Sequence, residues 1–428
     1  MRDAHVIGFA GLSHLGIVSS IAAAAKGLEV VAFDPDATLT AALARGELPL
    51  LEPGLAELLL QHRGRVRLAS DPAALAACDV VFFSIDIPTD DSNRSDLAPL
   101  DRLIDATRGV VLQRATLVVL SQVPPGFTRS RGLHHCQVET LVFGQAVERA
   151  LHPERIIVGC PDPAAPLPAA YAEYVRRFEC PVLPMRLESA ELAKIAINML
   201  LVSSVSTTNM LAELCEGVGA EWGEIAPALR LDRRIGPHAY LTPGLGLSGG
   251  NLERDLATVQ RLAGEHGADA QVVEAWLGQS ARRRGWALRC LQHEDLVRPG
   301  AAIAVWGLAY KPDTASTRNS PALPLLDALS SAHVTAYDPA ARLDESRFPH
   351  VRRAEAPLPA CAGADALVVM TPWRDLACVD LGAVASAMRG RVLVDPFGAI
   401  DAAAAARLGF THYRLGSPAP RAVSRRRC

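Results

Sequence analysis

Apolar positions in the first third of the chain fall into two alternating block types. Short continuous runs (His5-Val-Ile-Gly-Phe-Ala10, Leu28 to Phe33, Asp79 to Ser84, Thr116 to Ser121) have strand length, and stretches such as Leu15 to Ala25 between them read as helix. Strands that are apolar throughout must be covered on both faces, which predicts a doubly wound parallel sheet. From about Leu187 to Gly217 the pattern becomes one long amphipathic helix, longer than a crossover needs. A second strand–helix alternation starts at Ala301, with strands at Ile303–Trp306, His333–Tyr337, Ala366–Met370 and Arg391–Asp395. The expected fold is α/β, with two Rossmann-like parallel-sheet domains joined by a long central helix and a helical middle domain. The expected boundaries are residues 1–186, 187–297 and 298–428.

Composition narrows the class. The chain has 428 residues and 50% apolar side chains, enough for several packed layers, and a net charge of −3. Only the Arg-rich tail from Arg421 to Cys428 is a basic run, and it reads as a disordered end. No nucleic-acid groove is expected. No uninterrupted apolar segment looks long enough to span a bilayer, and the N-terminus lacks the apolar core of a signal peptide. Nine cysteines are scattered without C-x-x-C pairs, so they read as mostly buried free thiols in a reducing cytoplasm, with no metal site.

Gly11-Leu-Ser-His-Leu-Gly16 lies between the first strand and the first helix, where a dinucleotide fingerprint belongs. Gly11 allows the tight turn, Gly16 lets the helix pack closely on the strand, and Asp34 follows the second strand. An acidic residue there binds the adenosine ribose hydroxyls and disfavours a 2′-phosphate, so the expected cofactor is NAD rather than NADP. Ser13 stands where a glycine usually lets the backbone approach the pyrophosphate. Its hydroxyl either hydrogen-bonds that phosphate or crowds it.

Six further blocks share one source: Leu48-Pro-Leu-Leu-Glu-Pro-Gly-Leu55, Arg155-Ile-Ile-Val-Gly159, Ser189-Ala-Glu-Leu-Ala-Lys-Ile-Ala-Ile-Asn198, Asp232-Arg-Arg-Ile-Gly236, Pro243-Gly-Leu-Gly-Leu-Ser-Gly-Gly-Asn-Leu-Glu-Arg-Asp255, and Gly307-Leu-Ala-Tyr-Lys-Pro-Asp-Thr314 with Arg318-Asn-Ser-Pro321. In order and spacing they resemble the signatures of the UDP-glucose and GDP-mannose dehydrogenase family. The resemblance covers most of the chain.

It implies that Lys194 and Asn198, four residues apart on one helix face, hold the substrate oxygen while a carbonyl forms. It also implies that Asp255 accepts a proton, directly or through water. The family's nucleophilic cysteine, in P-G-x-G-F-G-G-S-C-F-P-K-D, is replaced by Asn251. An amide cannot hold an aldehyde as a thiohemiacetal, so the second oxidation loses its covalent handle. Asn251 is either the N-cap of a helix starting at Leu252, a donor to a substrate hydroxyl, or both. In the block aligned with P-E-F-L-R-E-G, Glu139 keeps the first carboxylate and Phe143 replaces the second.

Near the nicotinamide end, Ser84-Ile-Asp-Ile-Pro-Thr89 stands in place of V-G-T-P-T and keeps Pro88. Leu120-Ser-Gln-Val-Pro124 stands in place of K-S-T-V-P and puts Gln122 where a threonine is usual. By the same resemblance Lys311 meets the nucleotide sugar, Arg318 approaches NAD, and Arg234 reaches a nucleotide in a neighbouring subunit. A homodimer or higher homo-oligomer follows, with a nucleotide-diphosphate sugar as substrate. The expected activity is one NAD-dependent two-electron oxidation of a sugar hydroxyl at a C6-type position. A secondary alcohol of a chain-extended sugar, such as an octose in an antibiotic pathway, would give a ketone with no hydrogen left to lose, and Phe143 would face the added carbons. A non-catalytic binding paralogue and a redox-neutral epimerase are the competing readings.

Overall fold

The computed structural model describes residues 5–50, 52–90, 93–111, 115–247, 250–418 and 420. The Arg-rich tail therefore lies outside the described residues. The chain divides into two compact units, residues 1–197 and 198–428.

The first unit is built on an eight-stranded sheet, with β1 (Val6–Ala10), β2 (Glu29–Phe33), β3 (Val66–Ala69), β4 (Val80–Phe83), β5 (Thr116–Val119), β6 (His135–Val138), β7 (Ile156–Cys160) and β8 (Val182–Arg186). The strand order is β3-β2-β1-β4-β5-β6-β7-β8. All pairings are parallel except β6 with β7, a departure from the all-parallel expectation. The order reverses between β1 and β4, where an open α/β sheet forms its ligand crevice. Apolar β1 and β4 side chains are buried on both faces, and Phe9 stacks on Phe82 at 5.1 Å between centroids.

Helix α1 (His14–Ala25) follows β1 after a three-residue turn. Gly11 takes φ +92°. A Cβ on Gly16 would lie 1.9 Å from the Gly11 carbonyl oxygen and 2.8 Å from that of Ser84. Only glycine permits this approach of helix to strand.

One helix, α2 (Leu187–Val218), runs 32 residues without a break. It follows β8 directly, and the division between the units falls within it. Against expectation, it is long and apolar enough to cross a membrane by length and composition, with a mean hydropathy of 1.4 over its most apolar 18 residues. Those apolar positions also serve packing. Leu187 and Ala190 join the core of the first unit, and Val202 joins Leu247, Leu256 and Val273 in the second.

The second unit adds α3 (Asn251–His266), α4 (Gln271–Arg284) and a six-stranded parallel sheet of β9 (Ala302–Trp306), β10 (His333–Tyr337), β11 (Val351–Arg353), β12 (Ala366–Val369), β13 (Val392–Val394) and β14 (Thr411–Tyr413). Its order, β11-β10-β9-β12-β13-β14, repeats the centre of the first sheet. The turn after β9 also repeats the turn after β1. Gly307 takes φ +98° as Gly11 takes +92°, and each donates its N–H to the last carbonyl of the neighbouring strand, Tyr337 at 2.7 Å and Phe33 at 2.8 Å. Asp338 follows β10 as Asp34 follows β2. It is buried, with four backbone N–H groups (Leu308, Ala309, Ala340, Ala341) and the Trp373 indole all donating to it.

The close contact at Gly16 gives a direct test. Gly16→Ala must push α1 off β1 and is expected to destabilise the first unit by about 1–3 kcal/mol, the usual cost of overpacking. Chemical denaturation followed by circular dichroism reads it, and an unchanged midpoint would contradict the packing.

Candidate active site

The Gly11–Gly16 turn is held by its own backbone and by Asp34. The Leu12 N–H donates to Asp34 Oδ2 at 2.7 Å and the Asp36 N–H to Oδ1 at 2.9 Å. The carboxylate is thus fixed beside the turn at the carboxyl end of β2, and it is only partly buried. A glycine turn without a Cβ in its path, a helix N-terminus and this carboxylate together fit a dinucleotide.

Ser13 joins the turn to the loop after β4. The Asp86 N–H donates to Ser13 Oγ at 2.7 Å, and that hydroxyl reaches the Ser84 carbonyl at 3.4 Å. The side chain is engaged with the loop after β4.

Phe143 lies against the start of α1. Its ring stacks on His14, the first residue of α1, with centroids 4.1 Å apart. It does not line the cleft that holds Glu139. Buried Glu52 explains the placement: it pairs with His14 Nε2 at 3.1 Å and accepts the Gly144 and Ala146 N–H groups at 3.1 and 2.7 Å. That carboxylate pins the Phe143 loop onto the start of α1, on the cofactor side. Pro88, on the β4 loop, is exposed, and its carbonyl accepts the Asp96 N–H at 2.9 Å.

A small cleft at the carboxyl end of β5 brings together Gln122, Glu139, Glu191 and Lys194. Burial pushes the Glu139 carboxyl above its ordinary range, against the opposing effects of the Thr140 N–H, Lys194 and Arg149. The Thr140 N–H donates to it at 2.6 Å. Glu191 is an anchor: it accepts the N–H groups of Gly126 and Thr128 at 2.5 and 2.8 Å and ties that loop to α2.

In the second unit the Asn198 amide donates to Asp255 Oδ2 at 2.5 Å, and Arg254 Nε lies 3.3 Å from Asp255 Oδ1. All three side chains are buried. The carboxylate thereby fixes the Asn198 amide orientation and is itself held by an adjacent guanidinium.

Asn251 is not a cap. Gly250 is the N-cap, at φ +98°, and Asn251 is the exposed first residue of α3. The capping interaction comes from Glu253, whose Oε2 accepts the Gly250 N–H at 3.1 Å. Buried Glu253 also pairs with Arg284 and accepts from Asn319 Nδ2 at 2.7 Å. Arg284 in turn donates to the Leu247 carbonyl at 2.5 Å. Arg318 lies against Gly250: a Cβ there would be 3.1 Å from its Nε. Lys311 Nζ lies 5.8 Å from the Tyr310 ring centroid. Arg234 is almost fully exposed and forms an ion pair with Asp232 at 2.6 Å.

His14, Glu52, Asp86, Glu253, Arg284 and Asn319 were not singled out from sequence. Only Glu253 carried a local signal, an acidic side chain three residues after a helix N-cap. The others gain their place through contacts across more than 30 residues.

Three family models match successive parts of the chain. They are the NAD binding domain of the UDP-glucose/GDP-mannose dehydrogenase family over residues 5–175, its central domain over 188–279 and its UDP binding domain over 304–402. The chain is 31% identical to the UDP-glucose 6-dehydrogenase of Pseudomonas aeruginosa, covering 95% of this chain and 96% of that one. It is 31% identical to UDP-glucose 6-dehydrogenase AglM of Haloferax volcanii, covering 90% and 95%. Its structure is similar to that of a UDP-glucose dehydrogenase from Pyrobaculum islandicum, with a TM-score of 0.84, 26% identity and 98% and 99% coverage. The chain belongs to the UDP-glucose/GDP-mannose dehydrogenase family. It is an NAD-dependent oxidoreductase acting on a CH–OH group of a nucleotide sugar.

A measurable cofactor preference is expected from Asp34. Turnover with NADP is expected to be at least about tenfold below that with NAD, because a 2′-phosphate would face the carboxylate. Asp34→Ala should narrow the gap. Equal turnover of the wild-type enzyme with both cofactors would contradict this role.

Proposed function

We propose that the enzyme performs a single two-electron oxidation of a nucleotide-sugar hydroxyl and stops at the carbonyl. The observation that carries the reading is Asn251: an exposed amide begins α3 at the position where the family signature has its cysteine. Without a thiolate no covalent adduct forms, and an aldehyde is not carried on to the acid. Phe143, stacked on His14, removes a second carboxylate from the acid-forming half of the reaction. A secondary alcohol of a chain-extended sugar such as an octose suits this site, because its ketone product needs neither group. An antibiotic-sugar pathway is the setting this substrate suggests.

In this reading Gly11, Ser13, Gly16, Asp34, Pro88, Gln122 and Arg318 face the cofactor. When bound, NAD supplies the hydride acceptor. The Lys194 ammonium stabilises the oxygen that becomes alkoxide-like as the C–H bond weakens. Asn198, held by Asp255, hydrogen-bonds the same oxygen, and Asp255 takes up the hydroxyl proton through water. Glu139 lines the same cleft as Lys194, where burial favours its neutral form. Lys311 binds the nucleotide diphosphate. Arg234, exposed, reaches a neighbouring subunit's nucleotide in a homo-oligomer, and the outward apolar residues Leu200, Leu214 and Val218 of α2 support that assembly. Domain limits of 1–186, 187–297 and 298–428, and a cytoplasmic setting inferred from the free thiols, belong to the same reading.

Two measurements decide it. One NADH per sugar, with no uronate by mass spectrometry, is expected on any nucleotide sugar the enzyme turns over; two NADH with a carboxylate product would refute the reading of Asn251. Lys194→Ala should lower turnover about 100-fold or more, the scale of lost electrostatic stabilisation, with NAD affinity largely kept. Full activity in that variant would remove the mechanism. Asn251→Cys should trap aldehydes without efficient hydrolysis to the acid.

A further inference from the structure

Two departures from the family pattern, Ser13 in the fingerprint and the loop Ser84–Thr89, touch one another. The loop is fixed at several points. Ser84 Oγ donates to the Gly11 carbonyl at 2.9 Å, Ser121 Oγ donates to the Ile85 carbonyl at 2.6 Å, and the Ile85 N–H donates to Ser121 Oγ at 3.0 Å. Ile85 packs over Gly11 so closely that a Cβ on the glycine would meet it at 2.1 Å. Ser13 Oγ then accepts the Asp86 N–H at 2.7 Å. The result is that Asp86 Oδ2 lies 3.4 Å from the Leu15 N–H in the first turn of α1.

The N-terminus of a helix attracts anions through its free N–H groups and its dipole, and in a dinucleotide fold this helix faces the pyrophosphate. Here the protein brings its own carboxylate to that place. We propose that Asp86, held by Ser13, is an internal anion that competes with the cofactor pyrophosphate, weakens NAD and NADH binding, and so speeds cofactor release. A bound pyrophosphate and the carboxylate repel each other, so binding must move the side chain off the helix end or accept the repulsion. Ser13 is the positioning residue and Asp86 the competing charge. The inference rests on the cofactor's lying over the Gly11–Gly16 turn beside Asp34.

The test is calorimetric binding of NAD, ADP-ribose and adenosine to the full-length protein and its variants. Asp86→Asn should tighten NAD and ADP-ribose about tenfold, the scale of one partly screened unit charge at contact distance, and leave adenosine, which has no pyrophosphate, unchanged. Ser13→Gly should give part of that gain, and the double variant no more than Asp86→Asn alone, because both act through one carboxylate. Unchanged or weaker NAD binding in Asp86→Asn, or an equal gain for adenosine, would overturn the proposal. Asp34→Ala separates the two readings. If it weakens NAD while Asp86→Asn has no effect, the cofactor site stands and the competing charge falls. If it leaves NAD binding untouched, both fall.

Discussion

Lys194 and Asn198 stand four residues apart on α2, and the oxidation proposed above depends on that spacing. One turn of helix sets their separation at roughly 6 Å and points both to one side. No loop has to fold correctly to keep the ammonium and the amide in register. What the rest of the protein adds is restraint at either end: Glu191 ties the preceding turn of α2 to the Gly126–Thr128 loop, and Asp255 clamps the Asn198 amide.

Three positions that depart from the family pattern, Ser13, Phe143 and Glu253, each have a specific partner. Ser13 holds the β4 loop. Phe143 lies flat on His14, which Glu52 fixes from the other side. Glu253 stands where the signature has proline, and it collects Gly250, Arg284 and Asn319 around the start of α3. Ser13 is half-buried and Glu253 buried, and both are hydrogen-bonded, which costs little stability.

Much of this was legible from residues alone, for identifiable reasons. The central strands β1, β2, β4, β5, β9, β12 and β13 are largely apolar on both faces, so they announce themselves as continuous runs, whereas β10 buries only Val334 and Ala336 on one face. The edge strands were silent: β3, β8, β11 and β14 are short or polar, and β8 contains Pro184, tolerable only where one side of the ladder is unpaired. Strand β6 was hidden differently, since it buries His135 and Gln137 and satisfies Gln137 through the Tyr171 hydroxyl at 3.1 Å. The pairing of Lys194 and Asn198 was readable because helix period makes it local. The Ser13–Asp86 and Phe143–His14 contacts were not, because they join residues more than 70 apart in the chain and no local period encodes them.

Asp34 and Asp338 occupy the same place in two sheets of the same order, yet they present different faces. Asp34 keeps part of its surface open beside the turn, whereas Asp338 is submerged beneath five donors. Under the proposed cofactor site a ribose diol is read at the end of β2, and Asp338 offers no comparable open face at the end of β10. A chain carrying two look-alike nucleotide folds has to keep coenzyme and substrate from trading places. Under the proposed cofactor site, saturating Asp338 with four backbone amides and an indole would achieve that sorting.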